Sequence, residues 1–102
     1  MASVSTSRII ACVADEFGLM HGELKNGRRE RCVVNARFLA QWLCKQLTPH
    51  TLTAIGGDFG GRDHTTVLNG IDRADYMLRH DGTYRRRCMN VLNRIEGRQW
   101  TV

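Results

Sequence analysis

Apolar residues recur at intervals of three and four along most of this sequence, and a single proline, Pro49, interrupts them. This spacing places apolar side chains on one face of an α-helix, whereas no segment alternates for long enough to predict a strand. Glycine and proline positions divide the periodic segments, so the sequence predicts an all-α fold of about five helices. The predicted helices cover residues 7–17, 33–47, 52–59, 63–80 and 84–95. On the fourth predicted helix, the side chains expected to point inward are those of Val67, Leu68, Ile71, Ala74 and Leu78.

A chain of 102 residues is sufficient for one domain, which we expect to span residues 1–102 with its core at about 6–95. The sequence contains no run of about 18 apolar residues and no secretory signal, which favours a cytoplasmic protein without a membrane contact. The four cysteines are widely separated, so we expect mostly buried, reduced thiols rather than zinc ligands or disulfides. No pattern of catalytic, metal-binding or cofactor-binding residues is present, and the sequence therefore predicts a protein that is not an enzyme.

The charge of the chain favours an anionic partner. The sequence has 15 basic against 10 acidic residues, a net charge of +5, and 13 of the 15 are arginine, which suits bidentate contacts with phosphate and guanine. One basic cluster, residues 25–31, is typical of arms that enter a DNA minor groove, or it is simply a solvated loop. The other, residues 85–98, is best interpreted as a solvated helix face, with phosphate or an acidic protein as the alternative partner.

Residues 51–68 predict a helix-turn-helix: a short helix, a glycine turn and a longer helix. In such motifs the start of the second helix enters the major groove. Here that start carries side chains suited to base edges or phosphates, namely Arg62, Asp63, His64, Thr65 and Thr66. Asp63 has an alternative role as the helix N-cap, and the two threonines as ordinary first-turn residues.

The segment Phe59-Gly-Gly-Arg-Asp-His-Thr-Thr-Val-Leu resembles the signature of domain IV, the C-terminal DNA-binding domain of the DnaA replication initiator family. The similarity continues into a basic second helix near Arg37 and covers about residues 6–95. The resemblance implies a Trp-repressor-like helix-turn-helix that binds double-stranded DNA at an asymmetric box of TTATNCACA type. It also implies a bacterial or phage protein that is a monomer on DNA, with initiator or regulatory proteins as further candidate partners.

The resemblance assigns roles to individual residues. The residues that it implies contact bases are Asp63, His64, Thr65 and Thr66 in the major groove and Arg29 in the minor groove. The residues that it implies contact phosphates or pack near the DNA backbone are Arg28, Arg31, Arg37, Lys45, Arg62 and Leu68.

This chain departs from the family pattern at several positions. Asn-Ala-Arg, ending at Arg37, stands where the family usually has Arg-Pro-Arg, which removes one phosphate-contacting arginine, and Phe38 replaces a polar neighbour. Asn69 and Gly70 follow the signature, and a glycine inside a helix costs about 1 kcal/mol relative to alanine. We therefore expect box-like recognition with weaker affinity for the DNA backbone.

No G-x-x-x-x-G-K-[ST] motif occurs, so the sequence does not predict ATP hydrolysis by a P-loop. Met1 and the ending at Trp100-Thr-Val favour a free-standing protein that modulates replication initiation or transcription. The alternative is an adaptor with the same fold and only non-specific DNA affinity, which binds proteins through residues 85–98 or through Trp42 and Trp100.

Overall fold

The computed structural model describes residues 4–27 and 29–96, and within these residues there are five α-helices and no strand. In chain order the helices are α1 (Thr6–Phe17), α2 (Arg31–Leu47), α3 (Leu52–Asp58), α4 (His64–His80) and α5 (Gly82–Glu96). A short 3₁₀ helix, His21–Leu24, lies between α1 and α2. The all-α prediction is confirmed. The basic loop is shorter than predicted, because α2 begins at Arg31 rather than at residue 33.

Short polar side chains and a glycine set the helix ends. The hydroxyl of Ser5 accepts a hydrogen bond from the backbone amide of Arg8 at 3.1 Å and caps the start of α1. Gly18 ends α1 in the left-handed conformation, with a φ of 68°. Thr51 caps α3 by accepting from the amide of Ala54 at 3.2 Å.

The core forms where α2 packs against both α1 and α4, and α5 packs against α1 and α4 in turn. The large apolar side chains that are fully buried there are Ile9, Val13, Leu24, Val33, Leu39, Leu43, Ile55, Phe59, Val67 and Val91. Among the described residues, no helix has both the length and the apolar character needed to span a bilayer.

Leu68 does not point inward as predicted, because its side chain is 44% exposed. Val67 and Ala74 form the buried stripe of α4, and Leu68 lies about 100° around the helix from Val67. The thiol of Cys32 is exposed near the start of α2. The buried cysteines among the four are Cys12, Cys44 and Cys88.

Arg85 and Arg86 are exposed, as expected of the solvated face that the sequence favoured, but two other arginines of α5 also contact α1. The Arg87 Nη1 donates a hydrogen bond to the carbonyl oxygen of Glu16 at 3.1 Å, and its guanidinium lies 4.8 Å from the centroid of the Phe17 ring. The Arg94 Nε lies 3.5 Å from the Glu16 Oε1. Helical periodicity cannot reveal these partners, because they are 70 to 78 residues away in the sequence. Arg98 lies outside the described residues.

Candidate nucleic-acid interface

A tight turn rich in glycine sets the relative orientation of α3 and α4. The Gly56 carbonyl oxygen accepts backbone hydrogen bonds from Phe59 at 3.1 Å, Gly61 at 3.1 Å and Arg62 at 3.0 Å. Gly60 and Gly61 have φ angles of 82° and 80°, in the left-handed region that favours glycine. A β-carbon at Gly56 would collide with the carbonyl group of Arg62. This geometry confirms the predicted helix-turn-helix.

The first turn of α4 is an exposed polar surface. The Asp63 side chain accepts a hydrogen bond from the backbone amide of Thr66 at 2.8 Å, which makes Asp63 the N-cap of α4. That hydrogen bond, supported by a second one from the Thr66 hydroxyl, lowers the pKa of the Asp63 carboxyl. The side chains of His64, Thr65 and Thr66 all lie on the surface. A ligand that approaches the start of α4 therefore meets a row of small polar groups.

Leu68 and Lys45 extend the exposed surface on α4 and α2. Leu68 lies in the second turn of α4, and its exposed side chain can pack against a bound ligand. Lys45 is exposed in the last turn of α2. Arg37 precedes Lys45 by about two turns, but the two side chains do not form one exposed basic face, because Arg37 is buried.

Arg37 holds the segment that leads into the basic loop. Only 6% of the residue is exposed. Its Nε donates to the carbonyl oxygen of Leu24 at 3.1 Å, and its Nη2 donates to that of Asn26 at 3.0 Å. Burial lowers the pKa of Arg37, and the positive charge of Arg62 lowers it further. A guanidinium with this little exposed surface is poorly available to a phosphate.

Arg62 binds the same segment from the side of the helix-turn-helix. Its Nη2 donates to the Asn26 carbonyl oxygen at 2.9 Å, and its Nη1 donates to that of Lys25 at 3.3 Å. The same Nη1 also donates to the carbonyl oxygen of Phe59 in the turn. Arg62 thereby connects the turn between α3 and α4 to the basic loop.

Three arginines line a concave surface beside the start of α2. The lining residues of this cavity of about 330 Å³ are Arg29, Arg31, Val34, Asn35, Phe38 and Arg73. Arg73 was not among the predicted site residues. Its position could have indicated it, because seven residues after Thr66 is about two helical turns and hence the same side of α4.

The structure thus brings Arg29 and Arg31 together with α4. Arg28, also predicted to contact phosphate, lies outside the described residues. Within residues 4–27 and 29–96, no group of three or more His, Cys, Asp or Glu side chains is arranged to hold a metal ion.

A family model described as the bacterial dnaA protein helix-turn-helix matches residues 6–74. The chain belongs to this DnaA helix-turn-helix family. Membership of this family indicates DNA binding, and the match covers α1 to α3, the basic loop, the turn, and α4 as far as Ala74.

Curated relatives named chromosomal replication initiator protein DnaA are similar over most of this chain. The protein of Bartonella quintana is 36% identical over 96 residues, which are 94% of this chain and 19% of that protein. The protein of Caulobacter vibrioides is 34% identical over 94 residues, 92% of this chain and 19% of that protein. The protein of Mycoplasma capricolum is 33% identical over 92 residues, 90% of this chain and 20% of that protein. This DnaA-like chain therefore spans about a fifth of the length of these relatives.

Proposed function

We propose that this DnaA-like chain binds double-stranded DNA sequence-specifically at boxes of TTATNCACA type, as a monomer and without hydrolysing ATP. The observation that carries the proposal is the exposed row His64, Thr65 and Thr66 at the start of α4. These side chains are short and polar, so the helix start can approach the floor of a major groove. The imidazole can contact a base edge by a hydrogen bond, and each threonine offers a hydroxyl and a methyl that suits the methyl group of thymine.

Asp63 has a different part in this interface. Its carboxylate is used by the amide of Thr66, so its first role is to cap α4 and orient the base-contacting residues. A remaining lone pair of the carboxylate can accept a hydrogen bond from the amino group of cytosine.

The basic loop supplies a second contact with the same box. Arg29 is exposed beside the α2–α4 surface, and an arginine is attracted to the negative potential of a narrow A/T-rich minor groove. Contacts with the DNA backbone are proposed for Lys45, Arg31 and Arg73, with Leu68 packed against the sugar-phosphate chain. Arg28 is included on the resemblance alone.

The sequence of this chain contains no P-loop motif, and the matched segment is about a fifth of the DnaA relatives. A domain of this kind that occupies such boxes would compete with, or recruit, an initiator there. We therefore propose that it modulates replication initiation or transcription, with an initiator or another regulatory protein as its further partner.

Fluorescence anisotropy with a labelled box duplex and a scrambled duplex tests the proposal, at about 50 and about 150 mM salt. We expect a preference of about 100-fold or more for the box that persists at the higher salt concentration. If about four phosphates are neutralised, log K should fall with log salt with a slope of about −4.

Equal and weak binding of both duplexes that vanishes at about 150 mM salt would overturn the proposal in favour of a protein-binding adaptor. On α5 Arg87 is held by Glu16 and Phe17, so the exposed cations that such an adaptor could use are Arg85 and Arg86. If the box is preferred, duplexes with single base-pair changes in the box map which base pairs carry the preference.

A further inference from the structure

We propose that Arg62 is a positioning residue for the minor-groove contact rather than a phosphate contact. It fastens the basic loop to the turn of the helix-turn-helix, so that Arg29 and the start of α4 meet the DNA at a fixed separation. Its effect on DNA rests on the function proposed above, whereas its effect on the loop does not.

The first support is the geometry of the guanidinium. The two terminal nitrogens of Arg62 donate in different directions: Nη2 to the carbonyl of Asn26, and Nη1 to those of Lys25 and Phe59. The loop carbonyls are 36 and 37 residues away in the sequence, so these bonds define a tertiary contact. If Arg62 turned to a phosphate, it would have to give up these bonds.

A second and independent observation is the close approach of the loop to the turn. A β-carbon at Gly60 would collide with the carbonyl oxygen of Lys25, and Gly60 has a φ of 82°. The turn therefore touches the loop through its backbone as well as through Arg62. Because the turn and the loop are this close, the Arg62 guanidinium can donate to the carbonyl oxygens of both Lys25 and Asn26.

Arg37 holds the same segment from α2. Its Nη2 and that of Arg62 donate to one oxygen, the carbonyl of Asn26, at 3.0 and 2.9 Å. The segment is thus tied to both α2 and the turn. Arg29 lies three residues beyond Asn26, and three residues span at most about 11 Å. Fixing Asn26 therefore keeps the Cα of Arg29 within about 11 Å of that of Asn26.

The charge-retaining substitution Arg62→Lys separates positioning from phosphate contact. Lysine keeps the positive charge, but its single ammonium cannot reproduce the planar fork that reaches two carbonyls in different directions. A phosphate contact predicts that Arg62→Lys binds nearly as well as the unchanged protein, while Arg62→Ala binds poorly. A positioning role predicts that the two variants lose similar affinity.

The first experiment is free of DNA and measures the rate of tryptic cleavage after Lys25 and Arg29 in the native protein. Loss of charge-assisted hydrogen bonds that hold the loop should increase the cleavage rate about ten-fold or more in Arg62→Lys. Arg86→Lys, a matched change on an exposed part of α5, should leave the rate unchanged. An unchanged rate in Arg62→Lys as well would overturn the proposal.

The second experiment is a double-mutant cycle of Arg62→Lys and Arg29→Ala on DNA affinity. We expect Arg62→Lys to lower the affinity for the box about ten-fold when Arg29 is present. When Arg29 is replaced by alanine, the same substitution should lower the affinity less than about two-fold, because the two residues act through one contact. The loss should also shrink on a box whose A/T-rich end is replaced by G/C pairs. Lys45→Ala with Arg29→Ala is the control pair and should be additive.

Additive losses that are equal on both boxes would assign Arg62 to the phosphates and overturn the positioning role. If the unchanged protein shows no preference for the box, the proposed function fails and the minor-groove part of this inference fails with it. The cleavage experiment then still decides whether Arg62 holds the loop.

Discussion

The carboxylate of Asp63 accepts a hydrogen bond from the backbone amide of Thr66 at 2.8 Å, across the first turn of α4. The sequence left open whether Asp63 contacts a base or caps the helix, and the structure shows that it is the N-cap of α4. The two roles are compatible because a carboxylate has lone pairs beyond the one that this amide uses. The cap also fixes the backbone that carries His64 and Thr65, so the position of the base-contacting side chains depends on it.

Asp63→Ala should lower the melting temperature, whereas Asp63→Asn should retain most of the cap, because asparagine is an equally good N-cap residue. The pKa of Asp63 is lowered in the folded state, first of all by the Thr66 amide. Its carboxylate therefore contributes stability above the ordinary pKa of 3.8, and this contribution is lost as the pH falls through the lower folded value. Thermal unfolding between about pH 2 and 7 measures it. Asp63→Asn should lack this step, and an identical pH profile for both proteins would contradict the prediction.

Gly70 is a packing requirement rather than a weak point of α4. A β-carbon there would lie 2.9 Å from the Cδ1 of Phe38 and would collide with the buried Oε1 of Gln41. The expectation that alanine would favour this helix by about 1 kcal/mol holds only where the added methyl has space. Here we expect Gly70→Ala to destabilise the protein by about 1–3 kcal/mol through overpacking of α2 against α4.

Gly57→Ala is the matched control, because Gly57 lies inside α3 and no atom stands within 4 Å of the added β-carbon. Alanine there should stabilise the protein by about 0.4–1 kcal/mol. Chemical denaturation of both variants gives the two free energies of unfolding. If Gly70→Ala raised the free energy of unfolding as much as Gly57→Ala does, α2 and α4 would be able to move apart and accept the methyl group at position 70.

The sequence was informative where structure is local. Asp63 was identifiable as a candidate N-cap, and a period of 3.6 identified most of the buried faces, because each of these effects acts within one or two turns. It was least informative for arginine. Arg37 and Arg62 donate to carbonyl oxygens that are distant in the sequence, and no local pattern records those partners.

The same limit explains the packing of α4. Periodicity placed Leu68 inside and treated Gly70 as a cost, because it identifies a buried face only to within one residue and carries no information on interhelical distance. The structure reverses both expectations. Leu68 is 44% exposed, and Gly70 allows α2 to pack closely against α4.

Base contacts and phosphate contacts should separate in a mutational comparison of His64 with Lys45. His64→Ala should cost about 1–3 kcal/mol on the preferred box and relax its specificity, because the lost contact distinguishes bases. Lys45→Ala should weaken binding to the box and to a scrambled duplex by similar factors. Anisotropy titrations of both variants on both duplexes test this. The prediction fails if His64→Ala lowers both affinities equally.

Arg87 should stabilise the fold and contribute little to DNA binding. Its guanidinium lies over the Phe17 ring and donates to the Glu16 carbonyl, which joins α5 to the end of α1. Arg87→Ala should destabilise the protein by about 1 kcal/mol through loss of the cation–π contact and the hydrogen bond. Arg86→Ala removes the same charge from an exposed position and should change the stability by less than about 0.5 kcal/mol. Equal unfolding free energies for the two variants would mean that the contact with α1 adds nothing measurable.

Arg73 should bind a phosphate at the cavity that it lines with Arg29 and Arg31. Arg73→Ala should therefore weaken binding to box and scrambled DNA alike and reduce the magnitude of the salt slope by about 1, because one phosphate contact is lost. The control is again Arg86→Ala, which makes the same change in net charge at a site on α5 outside the proposed interface. Titrations of both variants at several salt concentrations compare the slopes. If the two substitutions reduced the slope equally, the effect of Arg73 would be that of net charge at a distance rather than of a contact. If neither changed it, the cavity between α2 and α4 would lie off the path of the DNA backbone.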